Sequence, residues 1–175
     1  MAAVTYIVQT LLSLWLVAVL LRLFLQWARA DFRNPLARSL VQLTNPVIVP
    51  LRRVLPAIGR LDTATCLTAA LTALLEVAVS WFLAGLSAPP ALLWLRLALL
   101  ELLRTTLWTY FVAIILYAVV WMVAPESYSP LQGLLSSLCE PVLRPFRRVI
   151  PPLGGLDFSP LWAVIAIQAL LILLR

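Results

Sequence analysis

Arginine carries most of the chemistry this sequence offers. All thirteen basic residues are arginines, histidine is absent, and only seven acids are spread over 175 residues. Twin arginines occur twice, as Arg52-Arg53 and Arg147-Arg148, with Arg60 and Arg144 nearby. A guanidinium presents a planar fork of donors to phosphate or carboxylate oxygens, so these pairs suit anionic lipid headgroups or a partner protein. The simpler reading of the same pairs is membrane topogenesis and interfacial anchoring. Asp62 and Asp157 each stand just before an apolar run. There a carboxylate can cap a helix or pair with a nearby arginine, with cation binding as the alternative. Arg22 and Glu76 fall inside apolar runs. An ionised carboxylate near the bilayer centre costs about 2.5 to 3.5 kcal/mol on insertion scales, so Glu76 needs a partner, a proton or water. Arg22 is the nearest partner by depth, with a gap of roughly 10 Å for side chains to close. An ion or proton pathway is the second reading of that pair.

Absences bound the function further. Without imidazole there is no Ser/His or Cys/His nucleophilic pair and no histidine-ligated zinc or haem. Cys66 and Cys139 sit at unrelated places and make no metal-ligand spacing. The chain therefore reads as non-enzymatic, with no catalytic residue, cofactor or metal expected. Nucleic acid is not an expected partner either, because the arginines are few and lie in short stretches beside apolar runs.

The elements that must position these residues are membrane spans. The chain is 63% hydrophobic and 11% charged, an excess of apolar surface that hydrocarbon accepts and water does not. Residues 4–27 are long enough to cross about 30 Å of hydrocarbon as a helix. They read as a span rather than a signal peptide, although Ala28-Arg29-Ala30 resembles a cleavage site, because no positive n-region precedes them and Arg22 interrupts the far end. Residues 66–86 form a second span, stopped by Pro89-Pro90. Residues 91–124 exceed one crossing and are expected to divide. Arg96, Glu101 and Arg104 share an arc of about 140° on a helix, so residues 92–104 would lie in the interface and 107–123 would span. Residues 160–174 supply a fourth crossing, with Ser159 as N-cap and Pro160 at the first helical position.

A shift of ninety-five residues superimposes the two polar stretches. Pro46, Pro50, Arg52, Arg53, Pro56, Gly59 and Asp62 recur as Pro141, Pro145, Arg147, Arg148, Pro151, Gly154 and Asp157, and Asn34-Pro35 recurs as Ser129-Pro130. The expected fold is all-α, with four transmembrane helices in two parallel helix-loop-helix repeats. The repeats would be residues 1–86 and 107–175, joined by 87–106. An even number of crossings per repeat puts both loops on one face, with a pseudo-twofold axis along the membrane normal. Six arginines in residues 28–65 and three in 125–159 make that face cytoplasmic by the positive-inside rule, with both termini outside. Prolines fix φ and remove donors, so residues 46–56 and 141–151 are expected to be non-helical, lying flat in the interface or dipping into a recess.

The pattern N-P, then T-x-P-x-x-x-P-x-R-R-x-x-P, then G-G-x-D before an apolar helix resembles the YggT family, here as two copies covering nearly the whole chain outside residues 86–104. The resemblance implies a bacterial inner membrane location and links to osmotic tolerance and ion uptake. In plastid relatives it implies links to cytochrome assembly and to nucleoid or division behaviour. Two positions depart from the pattern. The first copy has Gly59-Arg60 where the second keeps Gly154-Gly155. Arg22 fits an arginine near the end of the leading helix, but its counterpart is Leu116 or Tyr117.

Two functional readings follow. One is a small permease or accessory subunit for ion or osmotic homeostasis, with Arg22, Glu76 and the paired loops along its route. The other is a scaffold or assembly factor docking partner proteins or anionic lipids through Arg52, Arg53, Arg144, Arg147 and Arg148. Four short helices bury little among themselves, so a homo-oligomer or a membrane-protein partner is expected beside the bilayer.

Overall fold

A computed structural model describes residues 2–58, 62–86, 89–123, 129–149 and 157–174. Their regular structure is six α-helices: α1 (Ala2–Trp27), α2 (Pro35–Val54), α3 (Thr63–Leu83), α4 (Ala91–Val123), α5 (Pro130–Val149) and α6 (Ser159–Leu173). Three of them, α1, α3 and α4, are long and apolar enough to cross a membrane, and α6 is a shorter apolar helix. Leu11, Leu14, Leu71, Phe82, Leu95, Met122 and Leu173 all stand exposed, the surface of a protein whose solvent is hydrocarbon.

The chain forms two compact units. One comprises residues 1–23 and 42–106, the other residues 24–41 and 107–175. Leu16, Val19, Leu20, Ile48, Ala69 and Ala73 are buried in the first; Leu25, Ile114, Leu135, Leu138, Leu143 and Ala163 are buried in the second.

The proline-rich stretches depart from expectation. Pro46 and Pro50 lie inside α2, and Pro141 and Pro145 inside α5. An interior proline ordinarily costs about 3 kcal/mol, because it removes a bond to the carbonyl four residues back and its ring crowds that carbonyl. Here each pair is spaced by four, so Pro50 crowds the carbonyl of Pro46 and Pro145 that of Pro141. All the damage falls on one stripe, and in α2 that stripe is exposed, where water or headgroups can satisfy the freed carbonyls. The remaining faces keep their ladder. Both helices are amphipathic: on α2 the exposed Leu36, Leu43, Val47 and Val54 fall within about 40° of one another at 100° per residue, with the arginines on the other side.

Three boundaries also move. Residues 91–123 form one unbroken helix of 33 residues rather than two, about 50 Å long, because neither glycine nor proline interrupts them; Glu101 and Arg104 face each other at 3.9 Å along it. Helix α3 runs from Thr63 to Leu83 rather than from 66 to 86. Gly85, at φ +68°, closes it with bonds from Gly85 N to Phe82 O (3.1 Å) and Leu86 N to Trp81 O (3.2 Å), a Schellman motif. Helix α6 starts at Ser159 itself, with Phe158 as its cap and Pro160 one position further in.

Helix α1 closes in the same way without a glycine. Arg29 has φ 55°, with Arg29 N bonded to Gln26 O at 3.2 Å and Ala30 N to Leu25 O at 2.9 Å. A side chain in the left-handed region costs about 1 kcal/mol. Arg29→Gly is therefore expected to stabilise the protein against unfolding in mild detergent by about 0.5 to 1 kcal/mol. Arg29→Ala, which removes the charge but keeps the Cβ, should give no such gain.

Candidate functional site

The repeated spacing of twin arginine and aspartate becomes, in each unit, an ion pair at the entrance to an apolar helix. In the first unit, Arg52 near the end of α2 grips Asp62 just before α3, with Nη2 to Oδ2 at 2.5 Å and Nε to the two oxygens at 3.3 and 3.2 Å. The hydroxyl of Thr65 donates to the same carboxylate. Asp62 is 6% exposed and occupies the N-cap position of α3, its carboxylate shared between Arg52 and Thr65. Burial pushes the carboxyl up, but the bonds from Arg52 and Thr65 and the charge of Arg52 outweigh it and hold Asp62 below the ordinary carboxylate value.

In the second unit, Arg147 Nε donates to Asp157 at 2.8 Å, Nη1 to Glu140 at 2.6 Å and Nη2 to the Tyr117 hydroxyl at 3.0 Å. Asp157 also accepts the backbone N–H of Ser159 at 2.9 Å, tying the start of α6. Burial works against both charges; bonding to Ser159 and Arg147 nonetheless lowers the Asp157 carboxyl, and the three acceptors raise Arg147.

The two clusters share a frame and differ in charge. Arg22 is 1% exposed and donates to Thr44 Oγ1 at 2.6 Å and Asn45 Oδ1 at 3.0 Å. Ninety-five residues on, Arg22, Thr44 and Asn45 become Tyr117, Cys139 and Glu140. With its carboxylate ionised, the first cluster carries one net positive charge from Arg22, Arg52 and Asp62. The second carries one net negative charge from Arg147, Glu140 and Asp157. Arg22 thus turns toward α2 and does not meet Glu76, the partner that depth alone indicates: a long side chain at the end of a span reaches the polar groups beside it sooner than a carboxylate deeper in the hydrocarbon. Cys139 is buried, and burial pushes its thiol up to about 12, an unreactive group.

Glu76 is met by α1 instead. The Ser13 hydroxyl donates to its Oε1, and one turn on, Gln9 donates to Ser80 at 3.1 Å. Glu76 ends a stripe that no motif marks. Thr65, Thr68 and Thr72 lead to it from Asp62, and all five side chains are buried. The equivalent residues of α6 are Pro160, Ala163, Ile167 and Leu171, also buried. The same face is polar in one copy and apolar in the other. Threonine at helical spacing between two acids in an apolar run is the signal the sequence offers for it.

Of the other motif residues, Arg53, Arg144, Arg148, Pro46, Pro50, Pro56 and Pro145 are exposed and Pro141 is half-buried. Gly59, Arg60, Pro151 and Gly154 lie outside the described residues.

Lowered carboxyls make stability depend on acidity. Each aspartate contributes fully above its unfolded value of about 3.9 and progressively less as pH falls through its folded value. Stability in detergent should therefore be level from about pH 8 to 5 and fall below about pH 4, the loss being shallower in an Asp62→Asn, Asp157→Asn double variant. At neutral pH, Asp62→Asn alone should cost about 1 to 3 kcal/mol, because it leaves a guanidinium and a buried amide imperfectly paired.

The CCB3/YggT family profile matches residues 1–83 and 97–175. A Pseudomonas aeruginosa protein, PA0392, is 40% identical over 170 residues, covering 95% of this chain and 85% of its own. YggT of Escherichia coli K12 is 35% identical over 171 residues, covering 97% of this chain and 88% of its own. YlmG homolog protein 2, chloroplastic, of Arabidopsis thaliana shares 57% identity over 35 residues, 20% of this chain and 14% of its own. No solved structure matches the chain. With the profile covering both copies of the motif and relatives aligned along nearly the full length, the chain belongs to the CCB3/YggT family.

Proposed function

We propose that this is a non-enzymatic inner membrane protein that supports ion uptake or osmotic tolerance as a small permease or accessory subunit. It crosses the bilayer four times, through α1, α3, α4 and α6, as two parallel repeats, 1–86 and 107–175, joined by 87–106. Helices α2 and α5 lie on the cytoplasmic surface and both termini are outside, following the arginine bias. Support for the repeats comes from their elements: α2 and α5 begin and end ninety-five residues apart, and Ala64, Thr65, Thr68, Thr72 and Glu76 are buried where Ser159, Pro160, Ala163, Ile167 and Leu171 are buried.

The observation that carries the ion reading is the buried polar stripe of α3. Hydrocarbon offers nothing to hydroxyls and carboxylates, so polar groups held inside a span are a functional signal. Proteoliposomes of the purified protein should pass protons or alkali cations, and Glu76→Gln should slow that flux by about tenfold or more, a barrier change of about 1.4 kcal/mol. Vesicles that pass no ion, together with a Glu76→Gln strain indistinguishable from wild type under salt stress, contradict the reading.

A second reading, docking of anionic lipids or a partner, is favoured by the amphipathic form of α2 and α5. Arg52 and Arg147 hold the following helices, whereas Arg53, Arg144 and Arg148 stay exposed, each worth about 1 kcal/mol near an anionic surface. Replacing those three by alanine should strip retained phosphatidylglycerol from protein released out of nanodiscs, as read by native mass spectrometry. Unchanged lipid retention would count against it.

A further inference from the structure

The hydrogen bonds of the α3 stripe run one way. Thr65 donates to Asp62, Thr68 to Ala64 O at 2.7 Å, Thr72 to Thr68 O at 2.8 Å, Ser80 to Glu76 O at 2.8 Å, and Ser13 to Glu76 Oε1. Each hydroxyl hydrogen is spent on a neighbour, so what these groups still present is oxygen lone pairs. Glu76 is 7% exposed, and among the described residues its Oε2 has no hydrogen-bond partner. A row of lone pairs ending on a buried carboxylate oxygen is matched to a cation and opposed to an anion.

The surroundings agree in sign. Glu101 of α4 adds negative potential at Glu76, offset weakly by Arg104 at 3.9 Å from Glu101. From α1 the facing groups are Ser13 and Gln9, neither of them titratable, and Arg22 bonds to Thr44 and Asn45. In the second copy Ser13 and Glu76 are replaced by Trp108 and Leu171.

We propose that Glu76 and Ser13 hold one monovalent cation, a proton or an alkali metal ion, with the threonine oxygens of α3 leading to it from the Asp62 end. The site exists once per chain. It rests on the reading of the stripe as an ion route, and names what the stripe carries.

Two measurements on the full-length protein in detergent or nanodiscs separate the two ions. One is equilibrium binding of radioactive sodium and rubidium; the other is infrared detection of a protonated carboxyl band that shifts in deuterated water. The expected result is one of two signals in wild type. Either an alkali ion binds one per chain and binding falls about tenfold or more in Glu76→Gln, or no ion binds and an exchangeable carboxyl band is present that Glu76→Gln abolishes. Ser13→Ala, which leaves the carboxylate in place, should keep the fold; it should weaken alkali-ion binding, or, where the proton is the occupant, keep the carboxyl band and shift its frequency, because Ser13 donates to Glu76 Oε1. Glu76→Asp should retain part of either signal. Absence of both signals, or their persistence in Glu76→Gln, overturns the proposal. Flux tells the two readings apart. A filled site in vesicles that pass no ion defeats the transport reading and leaves the site standing. Flux that survives Glu76→Gln with neither signal present defeats the site and leaves transport standing.

Discussion

A guanidinium bonded to the carboxylate that opens the next apolar helix is the interaction on which this structure turns, and the chain makes it twice. Arg52 reaches Asp62 and Arg147 reaches Asp157, each ten residues on. The pair joins an amphipathic helix to the apolar helix that follows it. It also places the charge of each arginine where the first turn of that helix carries exposed N–H groups and a partial positive end, which a carboxylate offsets and a bare guanidinium would oppose. Lesser bonds support the pair: Thr63 donates to the carbonyls of Leu55 at 3.3 Å and Pro56 at 2.9 Å just past α2, and Arg147 donates to Tyr117 near the end of α5.

That constraint accounts for how the two copies could diverge without losing their frame. Where the first has Arg22 and Asn45, the second has Tyr117 and Glu140, and in each the substitutions are mutually consistent. A carboxylate at 140 needs the donor that Arg147 supplies, and an arginine at 22 needs the neutral acceptors Thr44 and Asn45. The pair stays and its surroundings change sign. Divergence goes further along the following helix, where one buried face carries threonines and a glutamate and its counterpart is apolar. Packing sets which positions are buried; the residues placed there decide whether that face is polar or apolar.

Much of this is legible in the residues. The apolar runs mark the long helices because a long stretch without charge is stable mainly in hydrocarbon. The ninety-five-residue shift picks out Arg52, Asp62, Arg147 and Asp157 because repetition separates a requirement from an accident. The rest depends on geometry that residue type does not carry. Taken one at a time, prolines 46 and 50 are helix breakers, whereas at a spacing of four their effects coincide on one stripe. Depth along the membrane normal makes Arg22 the nearest partner for Glu76 but says nothing of the polar groups of α2, Thr44 and Asn45, that folding brings closer. The threonines of α3 carry no mark of their own, because each, taken alone, is an ordinary residue bonded to nearby groups of its own helix.

The pairing of Arg52 with Asp62 is best tested by a double-mutant cycle: Arg52→Ala, Asp62→Ala and both together, each followed by reversible unfolding in mild detergent at neutral pH. A bond of this kind, with one partner buried, should give a coupling energy of about 1 to 2 kcal/mol, the double variant losing less than the sum of the two single ones. Strict additivity would mean that the two side chains do not hold each other, and that something else sets α2 against the start of α3.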